Sequence, residues 1–122
     1  QAEIGSASGM AAAAICGVRG GSKEQMGYAC AMALRNLMGL VCDPVAGLVE
    51  VPCVKRNVGG AVNALAAADM ALAGIASHIP VDQVIDAMGE VGMKMDVSLR
   101  ETSMGGVATS PKGLEIAERL GM

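Results

Sequence analysis

The sequence predicts an all-α fold: a bundle of about five helices around a buried, alanine-rich central helix, with one irregular loop that carries two cysteines. Three observations predict it. Tyr28 is the only aromatic residue, so the core must come from Ala, Val, Leu, Ile and 10 Met. Runs that alternate apolar and polar residues with period two, the mark of a half-buried strand, are missing. Apolar residues recur instead at helical spacing, and numerous alanines with 17 Gly let helices approach one another closely. At 122 residues the chain is expected to form a single domain over 1–122, large enough to bury a core.

The first helix is expected over residues 6–18, an alanine-rich stretch stopped by Gly20 and Gly21. Ser22 then opens a capping box, with Gln25 three positions on able to reach back to the cap amide. The second helix carries Met26, Cys30, Ala33, Leu34 and Leu37 on one stripe and runs to about residue 40. Pro44 and Pro52 forbid a regular helix in the segment that follows, 42–53. The third helix begins after Cys53, with Val58, Val62, Leu65, Leu72 and Ile75 on one side and alanines over most of the rest. A helix apolar all round is expected to be central and buried, ending near His78. Pro80 suits the start of a fourth helix, whose stripe is Val81, Val84, Ile85, Met88, Val91 and Met95, with Asp82 favourable to the dipole in the first turn. A short irregular segment over 98–106 leads to a last helix capped by Ser110, with Pro111 at its first position. Leu114, Ala117 and Leu120 are expected inside, and Gly121 is the stop.

Composition excludes several function classes. A net charge of -3 and the want of aromatic stacking platforms disfavour nucleic-acid binding. Residues 58–79 approach the length of a membrane span, but Asn63 and Asp69 interrupt them and no aromatic belt flanks them, so no membrane partner is expected. Four cysteines in a chain without a secretory leader are read as reduced thiols in the cytoplasm. The chain opens at Gln1 and runs straight into apolar sequence, as a piece of a longer polypeptide would.

The segment from Cys42 to Cys53 carries the chemistry. Ten residues with two prolines can fold back and bring both sulfurs to one point, and thiolates are preferred ligands for iron–sulfur clusters and zinc. Two cysteines at this spacing are no standard metal signature, so burial as small hydrophobes is the competing reading. Arg56, Asn57 and Gly60 lie just beyond, at the start of the third helix, where a cation, an amide and exposed backbone donors could hold a small carboxylate. Cys16 and Cys30 fall on apolar helix surfaces and are read as core. His78 has a structural reason at a helix end, Asp43 could cap a turn at Pro44, and Asp69 must find a partner or face water.

Residues 1–5, the loop 39–53, Arg56 and Asn57 followed by Gly60 and Ala61, residues 78–82 and residues 99–102 closely resemble the iron–sulfur-dependent L-serine dehydratases. The resemblance is to the C-terminal part of their α domain, or α chain in two-subunit forms, and covers essentially the whole chain. It implies a lyase that converts L-serine to pyruvate and ammonia without pyridoxal phosphate, using a 4Fe-4S cluster with one open iron as Lewis acid. Cys42 and Cys53 match two of the three cluster ligands, and the third falls just before Gln1. The segment carrying the catalytic base also lies outside this sequence, so the fragment alone is expected to lack the cluster and to be inactive. The implied partners are L-serine, the remainder of the α domain and the β domain or chain, in a homo- or hetero-oligomer. A related lyase releasing sulfide from L-cysteine, and a non-enzymatic helical docking module, are the alternatives.

Overall fold

The computed structural model describes residues 2–122. Among them are five α-helices: α1 (Ala2–Val18), α2 (Lys23–Asn36), α3 (Cys53–Leu72), α4 (Val81–Lys94) and α5 (Pro111–Arg119). Short 3-10 turns occupy Val45–Gly47, Val97–Leu99 and Gly106–Thr109. No strand forms among the described residues, so the all-α expectation holds.

α1, α2 and α3 pack on one another, α4 lies on α2, and α5 rests on the 3-10 turns at 45–47 and 106–109. Small residues make this close packing possible. The main core joins Ala12 and Cys16 of α1, Ala29, Met32 and Ala33 of α2, and Ala64, Ala67, Ala68 and Ala71 of α3. A second cluster joins Ala31 and Leu34 of α2 to Val84 of α4, flanked by Cys30 and Met88. Asn63 provides the polar tie: its Nδ2 donates to Ser8 Oγ at 2.8 Å and to the Ala33 carbonyl at 3.0 Å, while its Oδ1 accepts from Asn36 Nδ2 at 2.9 Å. One amide of α3 thus bonds to both α1 and α2, and its donors and acceptor are satisfied.

Both helix caps expected from the sequence form. Gln25 N–H donates to Ser22 Oγ at 3.1 Å, and the Gln25 side chain accepts from the Ser22 amide at 2.9 Å, completing the capping box. Ser110 caps α5 through Gly113 N–H, with Pro111 at the first position. Other boundaries differ from expectation. α1 begins at Ala2 instead of residue 6, and α2 stops at Asn36. α3 includes Cys53 and ends at Leu72, short of His78. The stop is a Schellman motif: Gly74 at φ +89° donates to Ala71 O at 3.0 Å, and Ile75 N–H donates to Met70 O at 3.0 Å. His78 therefore sits in the α3–α4 loop, exposed, at φ +64°.

The faces of α3 and α5 also need correction. α3 is not apolar-buried all round: it turns its glycine and alanine side inward and leaves Val54, Val58, Val62 and Leu65 56, 66, 59 and 45% exposed. With backbones held close by Gly60 and the alanines, there is no room inside for the larger side chains. On α5, Leu114 and Leu120 are exposed, and Gly113 makes the buried contact.

A candidate thiol site at the head of the third helix

The loop between the two cysteines folds back as its prolines suggest. Val45 N–H donates to Val51 O at 2.9 Å, and Val54 N–H donates to Val49 O at 2.9 Å. The turn at 45–47 passes through Ala46 at φ 55°, and the chain re-enters helix at Cys53. A distant segment fixes the other end. Cys42 N–H donates to Leu99 O at 2.9 Å and Glu101 N–H donates to Cys42 O at 2.8 Å, a parallel bridge centred on Arg100. Ser103 Oγ adds a bond to Pro44 O at 2.6 Å.

Asp43 locks these pieces together. It is 1% exposed, and Arg56 Nη1 donates to its Oδ1 at 2.6 Å and to the Val41 carbonyl at 2.9 Å. Its Oδ2 accepts from Val107 N–H at 2.6 Å. Gly106 must be glycine here, because it holds φ +62° and a Cβ would fall 2.1 Å from Asp43 Oδ2. Burying a carboxylate is costly unless it is both paired and hydrogen-bonded, and Asp43 is both. Asp43 thus fastens the cysteine loop to α3 and to the 106–109 turn, and no bond from its side chain caps the turn at Pro44.

Both cysteines lie on this fastened loop or at its junction with α3. Cys53 is buried and Cys42 half-buried, and both are free. Burial pushes the Cys42 thiol up, and the charges of Cys53, Glu101 and Glu3 push it further in the same direction. Gln1, before which the third ligand is expected, lies outside the described residues. Among the described residues, no three His, Cys, Asp or Glu side chains are grouped to hold a metal ion. What this chain offers an iron–sulfur cluster is two free thiol donors at the two ends of one anchored loop, and that donor chemistry fits.

The other expected site residues have internal partners. Arg56 bonds Asp43 and Val41 O, Asn57 Nδ2 donates to Cys53 O at 3.0 Å, and the Gly60 carbonyl accepts from Ser8 Oγ at 2.8 Å. Asn57 thereby holds the backbone of Cys53 itself. Cys16 and Cys30 pack in the two apolar clusters, as expected. Asp69 faces water and pairs with Arg19 at 2.5 Å.

Sequence reasoning missed one feature. A cleft of about 270 Å³ opens beside Cys42, lined by Glu3, Met88, Met95, Arg100 and Glu101 among others. Its walls come from α1, the end of α4 and the 99–101 segment, parts of the chain far apart in order; no local pattern announces them.

Fold and site together define an all-α chain that presents two free cysteines on a clasped loop. The family model described as "Serine dehydratase alpha chain" matches residues 1–108, and the chain belongs to that family. It is 62% identical over 120 residues to the "Probable L-serine dehydratase, alpha chain" of Bacillus subtilis, covering 98% of this chain and 40% of that protein. It is 53% identical over 116 residues to the "L-serine dehydratase, alpha chain" of Peptoniphilus asaccharolyticus, covering 95% of this chain and 40% of that one. Against "L-serine dehydratase 1" of Escherichia coli the identity is 46% over 109 residues, covering 88% of this chain and 24% of that protein. The chain thus spans less than half the length of these three relatives.

Proposed function

We propose that this chain is part of the α chain of an iron–sulfur L-serine dehydratase that deaminates L-serine to pyruvate and ammonia. Cys42 and Cys53 provide two thiolates to a 4Fe-4S cluster, and the third comes from the segment preceding Gln1 in a longer protein. The observation that carries the reading is a loop bearing both cysteines and clasped by Asp43, in a chain of this family. Bound there, the cluster supplies Lewis acidity at an iron that no cysteine occupies. The chain's own residues hold the donors still: Asn57 bonds the backbone of Cys53, and residues 99–101 bond both backbone groups of Cys42. The catalytic base is supplied from elsewhere in the longer protein.

The β chain and the remainder of the α chain are the proposed partners, and the exposed valine stripe of α3 is where the latter packs. Four free cysteines accord with a reducing, cytoplasmic setting. No described helix is long and apolar enough to cross a membrane.

The test uses the intact parent protein, reconstituted with iron and sulfide under anaerobic conditions. Wild type is expected to develop visible cluster absorption and to form pyruvate from L-serine. Cys42→Ala and Cys53→Ala are each expected to lose both. Full activity in either variant would remove that residue from the ligand set, and an active, iron-free wild type would end the proposal.

A further inference from the structure

The cleft beside Cys42 has a charge pattern that the thiol site does not explain. Apolar Met88 and Met95 form part of its wall, and Glu3, Glu101 and Arg100 bring two negative charges and one positive to it. None of these three charged side chains forms an ion pair among the described residues. At about 270 Å³ the cleft is smaller than the ~300–1,000 Å³ typical of pockets for drug-sized ligands, and it suits a compact metabolite. Mostly apolar walls with a few converging charges are the usual make-up of a small-molecule site.

Glu101 adds a second, independent observation. It holds φ +67°, a left-handed conformation that non-glycine residues rarely adopt. The bond from its amide to the Cys42 carbonyl, at 2.8 Å, keeps it there. Glu101 lies outside every helix and lines the same cleft as Cys42. Backbone strain of this kind clusters where a side chain must be aimed.

We propose that this cleft seats a small zwitterionic α-amino acid, with the Glu101 carboxylate receiving its ammonium group and the Arg100 guanidinium its carboxylate. The identity of that amino acid as L-serine rests on the function proposed above. Each charged end of the ligand meets its complement, and Cys42 on the same wall keeps the ligand's hydroxyl end beside the thiol pair. The carboxylate-holding role expected of Arg56 thereby passes to Arg100, which no buried carboxylate engages. Glu3 remains on the rim and reinforces the preference for a cationic group.

The test compares L-serine with glycerate, which differs from serine in carrying a hydroxyl in place of the ammonium group. In the intact reconstituted holoenzyme, Glu101→Gln is expected to raise the KM for serine about tenfold or more, since a charge-assisted hydrogen bond is lost. Its inhibition constant for glycerate should stay within about twofold of wild type. Arg100→Gln should weaken both ligands by about tenfold or more. An unchanged KM in Glu101→Gln, or equal losses for serine and glycerate, overturns the assignment of Glu101. If Glu101→Gln does not fold by circular dichroism, Arg100→Gln decides, and unaltered binding there overturns the cleft. A wild-type protein without cluster absorption overturns only the parent function. Calorimetric titration of both ligands into that same intact protein then decides the cleft by the same comparison.

Discussion

Asp43 is the residue on which the geometry of the thiol loop depends. Its two oxygens accept from Arg56 Nη1 and Val107 N–H, so one carboxylate joins the start of α3 to a turn 64 residues beyond Asp43 in sequence. Replacing it with alanine leaves a guanidinium and a backbone amide without their acceptor. Breaking a buried pair in this way costs about 3–5 kcal/mol, and the partial exposure of Arg56 places the expected loss towards the lower figure. Urea unfolding of Asp43→Ala should show this loss, and Asp43→Asn, which keeps an acceptor oxygen, should recover part of it. A midpoint unchanged in Asp43→Ala would show that the loop is held by its backbone bonds alone. The sequence disclosed little of this arrangement. Asp43 beside Pro44 has the local form of a turn cap, and nothing near it points to Val107. The folding back of the loop was legible because both cysteines lie in one segment that Pro44 and Pro52 keep from being a helix.

At the scale of elements, capping chemistry was readable and helix faces were not. Ser22 with Gln25 and Ser110 with Pro111 act within three residues, so the sequence alone contains the whole interaction. The end of α3 was hidden because apolar periodicity runs on through Ile75, past the left-handed Gly74 that stops the helix. The 3-10 turn at Val97–Leu99 offers a test at this scale, since it leads into the segment that pairs with Cys42. Asp96 caps it by accepting from Ser98 N–H at 2.8 Å, and hydrogen bonds from Ser98 hold its carboxyl below the ordinary 3.8. A carboxylate with a depressed folded pKa stabilises fully above its unfolded value and loses that contribution as pH falls through the folded one. Amide exchange at Ser98, corrected for the intrinsic pH dependence, should therefore lose protection severalfold below about pH 3.8. Asp96→Ala should show the reduced protection already at neutral pH. Protection independent of pH in the native protein would mean that the cap contributes nothing to the turn.

For the whole molecule, the most telling departure from expectation is the outward face of α3. Val54, Val58, Val62 and Leu65 fall at helical spacing on one stripe, yet the bundle buries the alanine side. Periodicity identifies a face; it does not say which of two apolar faces the rest of the chain will cover. In this sequence interhelical distance decides, because only Gly and Ala permit the approach of α1 and α2 to α3. A row of exposed valines is a surface to be covered. The relatives are longer than this chain by more than a factor of two, which leaves ample polypeptide for the purpose. Covering a valine side chain contributes about 1.5–3 kcal/mol. In the intact α chain, Val58→Asp with Val62→Asp should therefore lower stability by about 3 kcal/mol or more, because charge is then buried as well. Val18→Asp, at an isolated exposed position on α1, should cost less than about 0.5 kcal/mol in the same denaturation experiment. Equal, small effects at both places would show that the stripe stays in water and that the remainder of the α chain packs elsewhere.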